Sequence, residues 1–170
     1  MKNMMLKTLR NFSLLLLPGF LMLHEAAAVD PACEPYLKAC EARAMAPAWQ
    51  SVTEVSSKLK VEAMKAGGQF YSRMNGGDWK KLPVSVDATE RKLLADIRSG
   101  SVKLTECKNE GSEAVGGVNT SVISYRLEMP GAPAATGKLN IGKADGLPYA
   151  QVSNATKSSY SYKNVSAPAR

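Results

Sequence analysis

The sequence predicts an α+β domain, an antiparallel meander sheet with two helices, and three observations carry that prediction. Between Ser101 and Val165 apolar and polar residues alternate with period two, interrupted at regular intervals by glycine-bearing turn signals. Two other stretches, 31–45 and 88–99, repeat their apolar residues at helical spacing instead. The alternation is clean rather than continuously apolar, which marks antiparallel strands with one covered face and not a parallel sheet buried on both sides.

Residues 1–28 read as a secretory signal peptide. Lys2, Lys7 and Arg10 precede an apolar run over 12–23, and Ala26-Ala27-Ala28 supplies the small-residue cleavage pattern. Pro18 and Gly19 interrupt that run, and it is too short for a membrane span, which needs about 20 apolar residues. Residues 29–170 then form a single domain of a size that supports one core, directed to the periplasm. Loss of Lys2, Lys7, Arg10 and Glu25 takes the formal charge from +7 to +5. The remaining basic residues are scattered, with Lys80-Lys81 and Arg91-Lys92 as adjacent pairs, so no nucleic-acid footprint is expected.

Within the domain, Tyr36, Leu37, Cys40 and Ala44 recur at helical spacing, Pro35 suits the first turn, and Pro47 stops the helix. Residues 49–55 and 58–64 alternate, with Val52, Leu59, Val61 and Ala63 expected inward. Gly67-Gly68 turns the chain into a strand over 69–74, and Asn75-Gly76 turns it again before Trp79. Asp87 is the expected cap of the second helix, with Glu90 in the reciprocal capping position. Leu93, Leu94 and Ile97 form its apolar stripe, and Gly100 ends it. In the following meander, Val102, Leu104 and Glu106 fall on one face and Lys103, Thr105 and Cys107 on the other. Glu110-Gly111 and Gly116-Gly117 are the expected turns before a strand that sets Ile123, Tyr125, Leu127 and Met129 on one side. Leu139 and Ile141 point inward from the next strand while Lys138 and Asn140 point outward. Asp145-Gly146 marks a hairpin, and Tyr160 and Tyr162 share a face of the last strand.

The single histidine, His24, belongs to the signal peptide. Its loss removes Ser-His-Asp and Cys-His catalysis and every histidine-based metal site, so no catalytic residue, metal or cofactor is expected. Glu106, Glu110 and Glu113 surround a turn, where solvated carboxylates are the ordinary outcome. Cys33, Cys40 and Cys107 remain, and an oxidising compartment predicts one disulfide and one spare thiol. If Cys33 and Cys40 share a helix, their Cα atoms stand about 10 Å apart, beyond bonding reach. Cys107 is therefore the expected partner of the first helix, through Cys33 ahead of Cys40.

The order of these elements and their punctuation resembles a group of small bacterial periplasmic proteins. The motifs are Gln69-Phe70-Tyr71, the W-x-x-x-P step from Trp79 to Pro83 and the strand entry from Cys107 to Gly117. Gly146-Leu147-Pro148 and the Y-x-x-V-x-A-P ending from Tyr162 to Pro168 complete the set. Their layout is similar to that of the outer-membrane lipoprotein carrier superfamily. That resemblance implies a curved half-barrel of about eight strands, closed by helices over an apolar concavity. The chain is shorter than the carriers, which implies a smaller cavity or none, and it offers no position onto which their lipid-contacting residues carry over.

Two functions of different kind follow. One is a non-catalytic binding module that holds a lipid, another hydrophobic ligand or a lipidated protein in a groove under Leu93, Leu94 and Ile97. The other is an envelope structural or protein-interaction domain with a filled core and no ligand.

Overall fold

The computed structural model describes residues 29–168, so the expected signal peptide lies outside the described residues. Asp30 caps a 3₁₀ turn, Pro31–Cys33, by accepting a hydrogen bond from the Ala32 amide. The turn runs directly into α1 (Glu34–Met45), where Pro35 occupies the first turn and gives up no intrahelical bond. Ala46, which precedes Pro47, has left the helical region (φ −58°, ψ 135°), as the proline ring requires of its predecessor.

Four strands follow: β1 (Trp49–Ser56), β2 (Leu59–Ala66), β3 (Gln69–Met74) and the two-residue β4 (Lys80–Lys81). Helix α2 (Val86–Arg98) leads to β5 (Lys103–Val115), β6 (Val118–Glu128), β7 (Ala135–Gly142), β8 (Pro148–Ser153) and β9 (Lys157–Ser161). All nine form one antiparallel sheet in the order β4-β3-β2-β1-β9-β8-β7-β6-β5. The first and last strands thus pair at its centre, and the two-residue β4 brings the count to nine.

This order sets a geometric problem that α2 solves. The helix joins β4 on one edge to β5 on the other. Nine strands span roughly 40 Å if laid flat, whereas a helix of 13 residues is about 20 Å long. The short connections on either side of α2 suffice because the sheet curves, and the helix bridges its concave side. Helix α1 lies beside α2 and over β7 and β8. Together they cover a core of Tyr36, Leu37, Leu94, Ile97, Ile123 and Leu139, and a second cluster forms around Trp49 and Phe70.

Four local readings are corrected. The N-cap of α2 is Ser85, whose hydroxyl accepts from the Ala88 amide; Asp87 and Glu90 are buried instead. Val52 pairs with Glu62 and faces away from the helices, because the side chains of Trp49, Ser51 and Thr53 take the inner positions of β1. Gly111 is a bulge inside β5 (φ 106°) and not a turn, so the strand continues to Val115. A further bulge at Glu106 (φ 55°) inserts a residue and reverses the alternation. Glu106 therefore points out to solvent, while Cys107 joins Val102 and Leu104 on the buried side.

That reversal brings Cys107 to Cys33, and the two form a disulfide across 74 residues. It fastens the start of α1 to the edge strand at which the crossover arrives. A loop of this length constrains the unfolded chain by about 4 kcal/mol in the chain-entropy account. Cys33→Ser or Cys107→Ser is expected to lower the free energy of urea unfolding by about that amount, with the far-ultraviolet circular dichroism of the folded protein unchanged.

Candidate functional site

The space between the helices and the sheet holds charge as well as apolar side chains. Arg43, from the last turn of α1, donates through Nη2 to Glu90 Oε1 at 2.6 Å and through Nε to both Glu90 oxygens at 3.2 Å. Its guanidinium carbon lies 4.8 Å from the centre of the Tyr160 ring and 5.6 Å from that of Trp49. One helical turn before Glu90, Asp87 meets Lys65 of β2 at 2.5 Å. The Lys65 ammonium also donates to the Ala44 carbonyl at 3.2 Å, where the end of the helix favours a cation. Nearby, Gln151 donates to the Tyr125 hydroxyl at 2.7 Å and accepts from that of Tyr160 at 3.2 Å.

Burial decides how these groups ionise. It lifts the Glu90 carboxyl above its usual range, against the lowering effect of Arg43. Burial also pushes the Cys40 thiol up to about 12, with nearby Glu90 acting in the same direction, and raises Tyr36 and Tyr160. For Arg43 burial works the other way, yet Tyr160 and Glu90 outweigh it and hold the guanidinium charged. The spare thiol is therefore kept protonated, and the carboxylates are spent on fixed partners.

The stripe read from sequence falls within this packing. Leu94 and Ile97 are 4% and 2% exposed, in one cluster with Tyr36, Leu37 and Cys33, and Leu93 packs against that cluster half-buried. At its margin Val29, Ile97, Val102 and Leu104 line an apolar cleft of about 290 Å³. The three glutamates do not converge: Glu106 lies 3.9 Å from Arg126, Glu110 accepts from Ser124, and Glu113 accepts from Asn140. Among the described residues no group of three or more His, Cys, Asp or Glu side chains is placed to hold a metal, and no helix is long and apolar enough to cross a membrane.

A larger feature lies on the other side of the sheet. On β2 the residues facing away from the helices, Glu62, Met64 and Ala66, are all buried. Arg73 of β3 stands opposite Glu62 and donates to it through Nε at 2.8 Å. The Lys60 ammonium lies 3.6 Å from the other Glu62 oxygen. With its direction fixed, the Arg73 guanidinium stacks 4.6 Å from the centre of the Trp79 ring. Tyr71, Arg73, Trp79 and Lys81 line a cleft of about 820 Å³, to which Ala167 and Pro168 also contribute.

Sequence reasoning missed both polar constellations, although their signals were present. Lys65 shares the parity of Val61 and Ala63, and Asp87, Glu90, Leu94 and Ile97 are spaced as one helical face. On β3 the alternation that buries Phe70 turns Tyr71 and Arg73 outward together.

Removing one partner of a buried ion pair leaves an uncompensated charge, so Arg43→Ala is expected to cost about 3–5 kcal/mol in urea unfolding. The double variant Arg43→Met, Glu90→Leu is expected to recover most of that loss. Iodoacetamide is expected to modify the half-buried Cys40 slowly in the folded protein, where its thiol is held protonated, and quickly in urea; fast labelling of the folded state would contradict that.

No family model matches the sequence, and no curated protein matches it. Among solved structures, the chain is similar to the Mycobacterium tuberculosis lipoprotein LppX, with a TM-score of 0.50 and 12% identity over 82% of this chain and 97% of that one. LprF from Mycobacterium bovis gives a TM-score of 0.48 at 13% identity, covering 85% of this chain and 97% of that one. MucB, in its complex with MucA, gives 0.47 at 14% identity, covering 76% of this chain and 53% of that one. A curved antiparallel sheet bridged by helices is the fold that this chain shares with LppX, and it accords with the distant resemblance read from the motifs.

Proposed function

We propose that this chain is a periplasmic, non-catalytic binding domain that recognises another protein through the outer face of its sheet, its concavity being filled. The observation that carries this reading is the occupation of the concave side by two ion pairs, Arg43–Glu90 and Lys65–Asp87. A lipid tail placed there would have to separate charges already removed from water, at a cost of several kcal/mol for each ion. The Cys33–Cys107 disulfide fits an extracytoplasmic location.

Both edges of the sheet are poorly suited to strand addition. β4 is two lysines long, and β5 carries two bulges and alternating charges. That leaves recognition by side chains, and the cleft at Trp79 combines two aromatic rings with an oriented arginine, the residue types that dominate protein interfaces. A second reading is favoured by the apolar cleft at Ile97, Val102 and Leu104, whose volume of about 290 Å³ suits a single short chain of a hydrophobic ligand.

Native mass spectrometry of the protein released gently from the periplasm, before and after organic extraction, separates the two. The expected result is one unliganded mass, lower than the reduced chain by the two hydrogens of the disulfide. A lipid adduct removed by extraction would transfer the function to the Ile97 cleft. In living cells a photo-cross-linker at Trp79 is expected to capture a partner protein, and one at Leu93 is not.

A further inference from the structure

We infer that the Lys65 ammonium and the Asp87 carboxylate condense to an intramolecular amide, a covalent cross-link that fastens the first turn of α2 to β2. The inference goes beyond recognition at the outer face and does not depend on it. Lys65 Nζ stands 2.5 Å from Asp87 Oδ2, and the two side chains are 13% and 7% exposed. The other described lysine–carboxylate pairs, at Lys60, Lys92 and Lys108, have lysine side chains 49%, 75% and 75% exposed. Contact and exclusion of water are thus combined at Lys65 among the described residues. The ring centre of Phe70 lies 6.0 Å from the ammonium, and Ala63 and Val86 pack against the apolar cluster to which that ring belongs.

The surrounding hydrogen bonds suit the amide better than the ions. Lys65 Nζ donates to the Ala44 carbonyl at 3.2 Å, whereas Asp87 Oδ1 is buried with no hydrogen-bond partner among the described residues. An ionised carboxylate with an unpaired buried oxygen is costly, and the same atom as a neutral amide oxygen is less so. The amide nitrogen keeps one hydrogen, and the Ala44 carbonyl is already placed to accept it.

The step needs no other reactant. The ammonium passes one proton to the carboxylate, and the electron pair freed on Nζ attacks Cγ. A C–N bond forms, a second proton moves from nitrogen to the departing oxygen, and the C–O bond breaks with release of one water. Nothing is oxidised or reduced. In bulk water the free acid and amine are favoured, but two groups held in contact act at effective concentrations on the order of 10⁵–10⁸ M. Because the ion pair is the resting arrangement, proton transfer makes condensation slow beside folding, and the cross-linked form accumulates as the folded protein ages. The Cys33–Cys107 disulfide fixes the edge strand at which the crossover arrives, and the amide fixes the place from which it departs. The concave side stays filled in either form.

The test is the intact mass of the purified protein, denatured and reduced, first when fresh and again after prolonged incubation in the folded state at growth temperature. A second species lighter by one water is expected to accumulate, and fragmentation of its tryptic digest is expected to join the peptides that carry Lys65 and Asp87. Lys65→Arg keeps the charge pair but offers no amine, so its aged mass is expected to stay unchanged. Asp87→Asn is expected to form the same linked peptide with loss of one ammonia in place of water, which keeps the test decisive should Lys65→Arg fail to fold. Aged wild-type protein without the water loss overturns the inference. So does a water loss that persists in Lys65→Arg or Asp87→Asn, the mark of a cyclic imide elsewhere, such as at Asp145-Gly146. Capture of a partner at Trp79 is read separately and is unaffected by either result.

Discussion

Buried between two helices and a curved sheet, the Arg43 guanidinium has an acidic partner at its edge and aromatic rings against its faces. Taking such a charge out of water costs several kcal/mol, and the Glu90 carboxylate offsets that cost only in this geometry. The arrangement depends on four elements at once: α1 supplies the arginine, α2 the glutamate, and β1 and β9 the rings. Lys65 repeats the logic a turn away, joining β2 to the end of α1 and to Asp87 near the start of α2. An apolar layer in the same place would tolerate sliding of one helix over the other. Paired charges do not, because a displaced helix leaves ions without partners. The register of α2 across the sheet, and with it the direction in which the chain reaches β5, follows from these pairs.

The alternation of the strands and the spacing of the helices were legible because they record burial of apolar side chains, the largest local signal in a sequence. Element order could be read for the same reason, as could the burial of Leu94 and Ile97. What was lost is instructive. Asp87 followed by Glu90 looks like a helix start, and nothing local distinguishes a carboxylate that caps a helix from one that reaches across to a lysine on another strand. Strict alternation assigned Cys107 to the wrong face, since a residue such as Glu106 in a left-handed bulge carries no signature comparable to glycine. A bond from the first helix to Cys107 was nonetheless expected, because two cysteines seven residues apart on one helix cannot bond, with Cys33 only ahead of Cys40 as the partner the structure then shows. Trp79 could be seen, but not the arginine stacked on it, because the contact depends on the turn between β3 and β4 bringing the two together.

Filling the concavity changes what the curvature accomplishes. In a half-barrel with an open groove, the bend encloses a ligand. Here it lets a short helix reach from one edge strand to the other, and the space beneath is taken by the molecule's own side chains. The consequence appears on β2, where Glu62, Met64 and Ala66 are buried although they face away from the helices, while Val61, Ala63 and Lys65 on the helix side are only half-buried. A sheet with a single covered face would show the opposite pattern. The outer side of β2 and β3 is thus a second layer with its own buried charge, and the returning C-terminal tail reaches the same face at Tyr71, Arg73 and Trp79. Ions committed to the architecture fill the inner side of the sheet, whereas those of the outer side hold an aromatic ring at the rim of a cleft, the face proposed above for recognition.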